Sequence, residues 1–150
     1  MTPPNSPAGR DTRRLLERAT AFHGHLGPWL ALGLRAGARA RRVVSADPFR
    51  LTARVRCPGR TPYSCLLDGV QLSSGCTLGK GNIRHIRAVR RVLIVFELVT
   101  PPGPSLRLEL RPEVWTELHL IPARTDVRLA RLAREIFARR FDRLFIENRD

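Results

Sequence analysis

The chain has 150 residues, 43% hydrophobic and 27% charged, which suffices for one globular core and is too little for two full-sized domains. The formal charge is +14, but the 27 cations (26 arginines and Lys80) are spread over the whole length and aromatics make up only 6%; this resembles a codon bias and argues against a nucleic-acid groove, which needs clustered cations and stacking platforms. No apolar run has bilayer length and the first ten residues lack the h-region of a secretory signal, so the expectation is a cytoplasmic protein with no membrane span.

Residues 1–10, with prolines and no apolar periodicity, read as a flexible tail, and residues 11–150 as one domain. Asp11 or Thr12 suits the cap of a first helix carrying Leu15, Leu16, Ala19 and Phe22 on one face, with Gly24 as its stop. Pro28 fits the first turn of a second helix, in which Leu30, Leu34, Ala38 and Val43 form the apolar stripe and Arg35, Arg39 and Arg42 face water. Gly33 and Gly37, four apart, thin one face of it for a close neighbour. Leu51, Ala53 and Val55 then alternate with Thr52, Arg54 and Arg56, the period of a half-buried strand.

A short helix over 64–72 and a glycine-rich loop over 73–82 come next, followed by strands at 83–88 and 92–100. The run Val92, Leu93, Ile94, Val95, Phe96 belongs at a sheet centre. Beyond a proline turn, Leu106, Leu108 and Leu110 alternate with Arg107, Glu109 and Arg111. Pro112 opens a short helix through Trp115 and Leu118. Asp126 caps a last one bearing Leu129, Leu132, Ala133, Ile136, Phe137 and Phe141, with a solvated face of Arg128, Arg131, Arg134, Arg139 and Arg140. Helices, strands and helices again predict an α+β domain: a mixed, largely antiparallel sheet of about five strands flanked by helices.

Reactive chemistry is concentrated in residues 65–82, which hold Cys65, Gln71, Cys76 and Lys80 among several glycines. Three cysteines, with Cys57, are an odd number and include no Cys-x-x-Cys pair, which points away from a disulfide framework, a zinc ribbon and a thioredoxin-type motif. The partner for these thiols is His23-Gly24-His25, since thiolates and imidazoles together make a transition-metal site. Cys57 reads most simply as a small buried hydrophobe. Cys65, at a predicted helix N-terminus, suits either metal binding or nucleophilic chemistry. The stretch Gly-Cys-Thr-Leu-Gly-Lys-Gly-Asn invites comparison with a phosphate loop, but it is one residue short of the Walker spacing, and Gly81 stands where Ser or Thr is required. Lys80 remains distinctive, because a compact ammonium can give up its proton as arginine cannot.

Two stretches carry a family resemblance: Phe22-His23-Gly24-His25-Leu26-Gly27-Pro28, and Cys65-x-x-Asp68-x-x-Gln71-x-x-x-Gly75-Cys76-Thr77-x-Gly79-Lys80-Gly81-Asn82. Together they resemble the FmdE family, which takes its name from a component of formylmethanofuran dehydrogenase, over about residues 12–100. The resemblance implies an α+β core with a mixed sheet and, in some members, zinc in a site lined by histidine and cysteine. Carried over by position, it implies His23, Cys65 and Cys76 as metal ligands, with His25, Gln71 and Lys80 around them as catalytic candidates, and Zn2+ or another transition metal as the cofactor. Two positions depart from the family pattern His-Gly-His-x-Cys-Pro-Gly: Gly27 stands in place of the cysteine, and Trp29 in place of the final glycine. The cysteine pairs of an appended zinc finger are absent, so the expectation is the core-only form.

The leading functional expectation is therefore a metal-binding domain, a metalloenzyme or an accessory subunit of a molybdenum, tungsten or one-carbon redox system. Two alternatives stay open: a non-catalytic assembly module that recruits an acidic protein or redox-complex partner through its arginine surface, and a metal-independent Cys-His thiol enzyme. Gly33, Gly37 and the resemblance also predict a homodimer.

Overall fold

The computed structural model describes residues 7–121 and 127–150. Helix α1 (Pro7–His23) leads through a short bend into α2 (Pro28–Val43), then β1 (Leu51–Cys57), α3 (Cys65–Ser74), β2 (Ile83–Arg87), β3 (Leu93–Leu98), β4 (Leu106–Leu110), α4 (Pro112–His119), α5 (Val127–Ala138), a 3-10 turn at Phe141–Arg143 and β5 (Phe145–Arg149). The strands form one sheet in the order β2-β1-β3-β4-β5. β1 and β2 are parallel, and the other three pairings are antiparallel. A parallel pair needs a crossover connection, and α3 is that crossover. This is the expected α+β fold with its mixed sheet, and the apolar run of β3 is its central strand.

The starts and ends of elements follow from local chemistry. α1 begins at Pro7, so residues 7–10, expected in the tail, are helical. It stops at Gly24, whose φ of +100° is one that a side chain resists. Phe22, expected on the apolar face, is 59% exposed. Pro28 opens α2 and Pro112 opens α4, each in the first turn where its missing N–H is no loss. The cap expected from Asp126 falls outside the described residues. β5 was not placed by the alternation pattern; its pairing with β4, from Leu106↔Arg149 to Leu110↔Phe145, completes the sheet.

α2 is the hub of the core. Ten of its sixteen residues are buried, from Pro28 to Ala40, so the expected single apolar stripe is widened almost to the whole circumference. The correction extends to its arginines. Arg35 turns inward and donates to the carbonyls of Ile136, Phe137 and Arg139, capping the C-terminal end of α5, and its guanidinium lies over the rings of Phe137 and Phe141. Arg39 pairs with Glu147 on β5 through two hydrogen bonds, 2.8 and 3.1 Å. Of the three arginines expected to face water, only Arg42 is exposed.

Gly33 and Gly37 are used inside the chain. A Cβ on Gly33 would lie 2.8 Å from Val70 N and 2.9 Å from Gly69 Cα, and one on Gly37 would lie 2.7 Å from Ser74 N. Gly69 answers from α3, where a Cβ would lie 2.7 Å from Leu34 N. The two helices therefore touch backbone to backbone. Because 33 meets 69–70 and 37 meets 73–74, they run in the same direction. These glycines are accordingly spent on the α2–α3 contact and offer no surface for a second copy.

Candidate functional site

The parallel alignment of α2 and α3 brings both N-termini to one end of the molecule. α3 follows the carboxyl end of β1, and in open α/β sheets ligands gather beyond the carboxyl ends of parallel strands. The helix macrodipoles add positive potential at that end.

The bend between α1 and α2 delivers His23 and His25 to this place. His23 Nδ1 lies 2.6 Å from Asp68 Oδ2, in the first turn of α3. A carboxylate only accepts, so Nδ1 carries the proton and the neutral ring's lone pair sits on Nε2. That Nε2 is buried and has no hydrogen-bond partner. The His25 ring centroid is 4.8 Å from that of His23. Burial, and then the neighbouring His23, push the His25 pKa below the ordinary imidazole value, which favours its neutral, lone-pair form. Cys65 is one helical turn before Asp68 and so shares its face of α3. Its thiol is half-buried and is held above its usual range first by burial and then by the Asp68 carboxylate.

The two departures in the first motif have visible effects. A Cβ built on Gly27 would lie 3.3 Å from His25 Nε2, so a cysteine at this position would bring sulfur to the His25 imidazole. Trp29 is 2% exposed and packs edge-on against Tyr63 and Trp115, with centroids 5.0 and 5.7 Å away. Tyr63 and Trp115 stack on one another at 5.2 Å, and the Tyr63 hydroxyl and His119 Nδ1 are 2.6 Å apart. Trp29 thus belongs to an aromatic wall tying α2 to α4 and to the loop before α3.

Other candidates from the sequence lie elsewhere. α3 spans ten residues, about 15 Å at 1.5 Å per residue, and separates Cys65 at its start from Cys76 beyond its end. Cys76 is fully buried, with its backbone N–H on Ser74 Oγ. Burial raises its thiol pKa, while Ser74, Lys80 and Arg41, from the C-terminal end of α2, pull the other way. It therefore does not meet His23 within one chain. Gln71 Oε1 accepts the N–H of Leu78, and Asn82 Oδ1 that of Thr77. These contacts brace the glycine loop and use up amides that a phosphate cradle would need. Lys80 is exposed on the same loop, at the end away from the histidines. Cys57 is buried, with Sγ 3.4 Å from His85 Nε2, and burial pushes its pKa up to about 11.

Among the described residues, no three His, Cys, Asp or Glu side chains already converge on one point. The donor chemistry nevertheless fits a transition metal. One imidazole is fixed by a carboxylate with its other nitrogen buried and unengaged, the arrangement that orients metal-binding histidines. A second imidazole, that of His25, lies beside it, and the Cys65 thiol shares the face of α3 that carries Asp68. Asp68 is the residue that the motif reading left without a role, although its i, i+3 spacing from Cys65 was the available signal.

Comparison with known proteins agrees with the motifs. A family model described as "FmdE, Molybdenum formylmethanofuran dehydrogenase operon" matches residues 22–142. A protein of Archaeoglobus fulgidus named "Probable S-adenosyl-L-methionine-binding protein" is 34% identical over 89 residues, 55% of this chain and 23% of that protein. The chain thus spans about a quarter of the length of this relative.

Proposed function

The chain belongs to the FmdE family, and on that premise we propose that it is a metal-binding domain, with zinc as its ion, whose site is the cluster at the N-terminal ends of α2 and α3. The observation that carries this reading is His23 Nε2, buried and unpartnered on a ring that Asp68 holds in place. His23 and Cys65 are the proposed ligands, His25 the third donor or the acid/base, and Asp68 the positioning residue. Zinc accepts mixed nitrogen and sulfur donors, and with three or fewer protein ligands it retains a position for water or substrate, where it supplies Lewis-acid chemistry. Of the three catalytic candidates read from the sequence, His25 alone stands here, since Gln71 and Lys80 serve the loop at the opposite end. The family description supports a place beside a molybdenum-dependent one-carbon redox enzyme, as an accessory subunit or a metalloenzyme in its own right. The ligand in the name of the Archaeoglobus relative is not carried over, because the shared stretch is 23% of that protein.

A metal-independent thiol enzyme is disfavoured. Among the described residues no histidine is hydrogen-bonded to Cys65 or Cys76, and Cys57, which does meet His85, is 0% exposed and closed to a substrate.

Metal content of the purified, zinc-reconstituted protein tests the proposal. One zinc per chain is expected, lost in His23→Ala and Cys65→Ser, bound about 10- to 100-fold more weakly in Asp68→Asn, and retained in Cys76→Ser. A folded wild-type protein that takes up no zinc would sink the metal reading and leave the assembly module. Zinc loss in a folded Cys76→Ser variant would return Cys76 to the ligand set and require a second copy of the chain to deliver it.

A further inference from the structure

At the other end of the α2–α3 pair, the braced loop, β1 and β2 border a half-open cleft of about 530 Å³, whose lining includes Phe49, Arg54, Lys80, Asn82, Arg84 and Val99. We propose that this cleft binds a small phosphorylated ligand carrying a planar ring, of the size of a mononucleotide.

Three observations point to this chemistry. The first is charge. Arg54 and Arg84 are register partners on the parallel strands β1 and β2; like charges directly opposite each other destabilise a sheet, and a bound anion would relieve that repulsion. Glu97 pairs with Arg54 at 3.0 Å, and Arg84 has no ion-pair partner among the described residues. Lys80 completes the set. Its Nζ gives one hydrogen bond to Thr77 Oγ1, and an ammonium has three donors to give. Two cations thus remain uncompensated around one opening, which matches a phosphate dianion, and the arginine fork suits its oxygens.

The second observation is rigidity. Asn82 Nδ2 donates to the carbonyls of Pro48 and Leu51 while its Oδ1 accepts from Thr77 N, and Gln71 holds Leu78 N. The loop is tied at both ends to α3 and β1, so Lys80 is presented on a fixed support. Ligand selectivity here comes from side-chain cations, since the loop amides of residues 77, 78, 80 and 81 are already engaged.

The third is an apolar wall. Phe49 and Val99 are 75% and 53% exposed, and both line this cleft. Lys80 Nζ sits 5.7 Å from the Phe49 centroid, so cation and ring share one opening. A bare phosphate would leave this wall wet, whereas a phosphate bearing a base would cover it, and the volume lies within the range of small-ligand sites.

The test is calorimetric titration of the full chain with ADP, pyrophosphate and citrate at fixed salt. ADP is expected to bind more tightly than pyrophosphate, and citrate only weakly. Lys80→Gln and Arg84→Gln should each weaken ADP about tenfold, equivalent to about 1.4 kcal/mol. Phe49→Ala should bring ADP down to pyrophosphate, and Arg131→Gln, on the exposed face of α5, should change nothing. Lys80→Arg, which keeps the charge, and thermal melts of each variant separate loss of binding from loss of fold. Equal weakening by Arg131→Gln would show a diffuse basic surface and overturn the proposal. So would an ADP affinity unaltered by folded Lys80→Gln and Arg84→Gln, or no binding at millimolar ADP. Tighter binding of a single-stranded oligonucleotide than of ADP, with a steep salt dependence, would also overturn it in favour of a nucleic-acid track. None of these readouts depends on zinc.

Discussion

Replacing Gly33 by alanine adds one methyl group where α2 and α3 cross. Its carbon would fall within the envelope of the Leu66 carbonyl, 2.8 Å from Val70 N and 2.9 Å from Gly69 Cα. All three are backbone atoms, so no side chain can rotate aside. Ordinary carbon contacts are about 3.5 Å or more, and the helices would have to part by about 1 Å along their contact, forfeiting a quarter to a half of the dispersion energy there. Overpacking typically costs about 1–3 kcal/mol; the rigid opposing surface places this case at the upper end, about 3 kcal/mol. Against it stands about 1 kcal/mol gained from the better helix propensity of alanine. The expected net loss is about 2 kcal/mol, which for a chain of this length lowers the melting temperature by about 4–8 °C. Urea unfolding followed by the fluorescence of Trp29 and Trp115 measures it. Gly79→Ala is the control, because its Cβ would meet nothing within 4 Å. Equal stability of the two variants would refute the backbone contact, and with it the parallel alignment that brings the N-termini of α2 and α3 to one end.

Gly27→Cys should raise zinc affinity at least tenfold in competition with a chromophoric chelator, because its Cβ would stand 3.3 Å from His25 Nε2; unchanged affinity would place the site elsewhere. In native protein a thiol reagent should modify Cys65 first, with Cys57 and Cys76 reacting only on unfolding, since the latter two are 0% exposed; mass spectrometry of the labelled peptides reads the order. Glu147 supplies a pH dependence. The hydrogen bond from Arg39, helped by Arg149, holds its carboxyl below the usual range. Its contribution is therefore complete above the ordinary glutamate value of about 4.3 and fades as pH falls through the lower folded value. Glu147→Gln should melt below wild type at pH 7 and converge with it in acid; a constant gap down to about pH 3 would contradict the assignment.

Much of the sheet was legible in the sequence because alternation is a local property. Leu51, Ala53 and Val55 had to face one way and Arg54 and Arg56 the other, and the unbroken run of β3 had only the centre to occupy. β5 escaped because a five-residue strand of Phe, Ile, Glu, Asn and Arg has little pattern of its own and is fixed by its pairing with β4. Arg35 and Arg39 were misread for a related reason. A charged residue on a helix usually faces water, and what turned these two inward was a carbonyl cluster and a glutamate more than a hundred residues away in sequence. In the candidate site, His23, His25 and Cys65 were recognisable by chemistry and motif. Cys76 was grouped with them by its place in the motif, although the helix expected over 64–72 already lay between it and Cys65; α3 carries the two apart.

The backbone contact between α2 and α3 also governs motion. Side chains between two helices act as bearings, whose rotamer changes let the helices slide by small steps; here the glycines leave only small serines at the crossing, with Ser73 Oγ held by the carbonyls of Gly33 and Gly69. The pair moves as one strut, and two close-packed backbones yield by jumps or not at all. Whatever binds at either end finds its scaffold already set, so adaptation falls to the side chains at the tips.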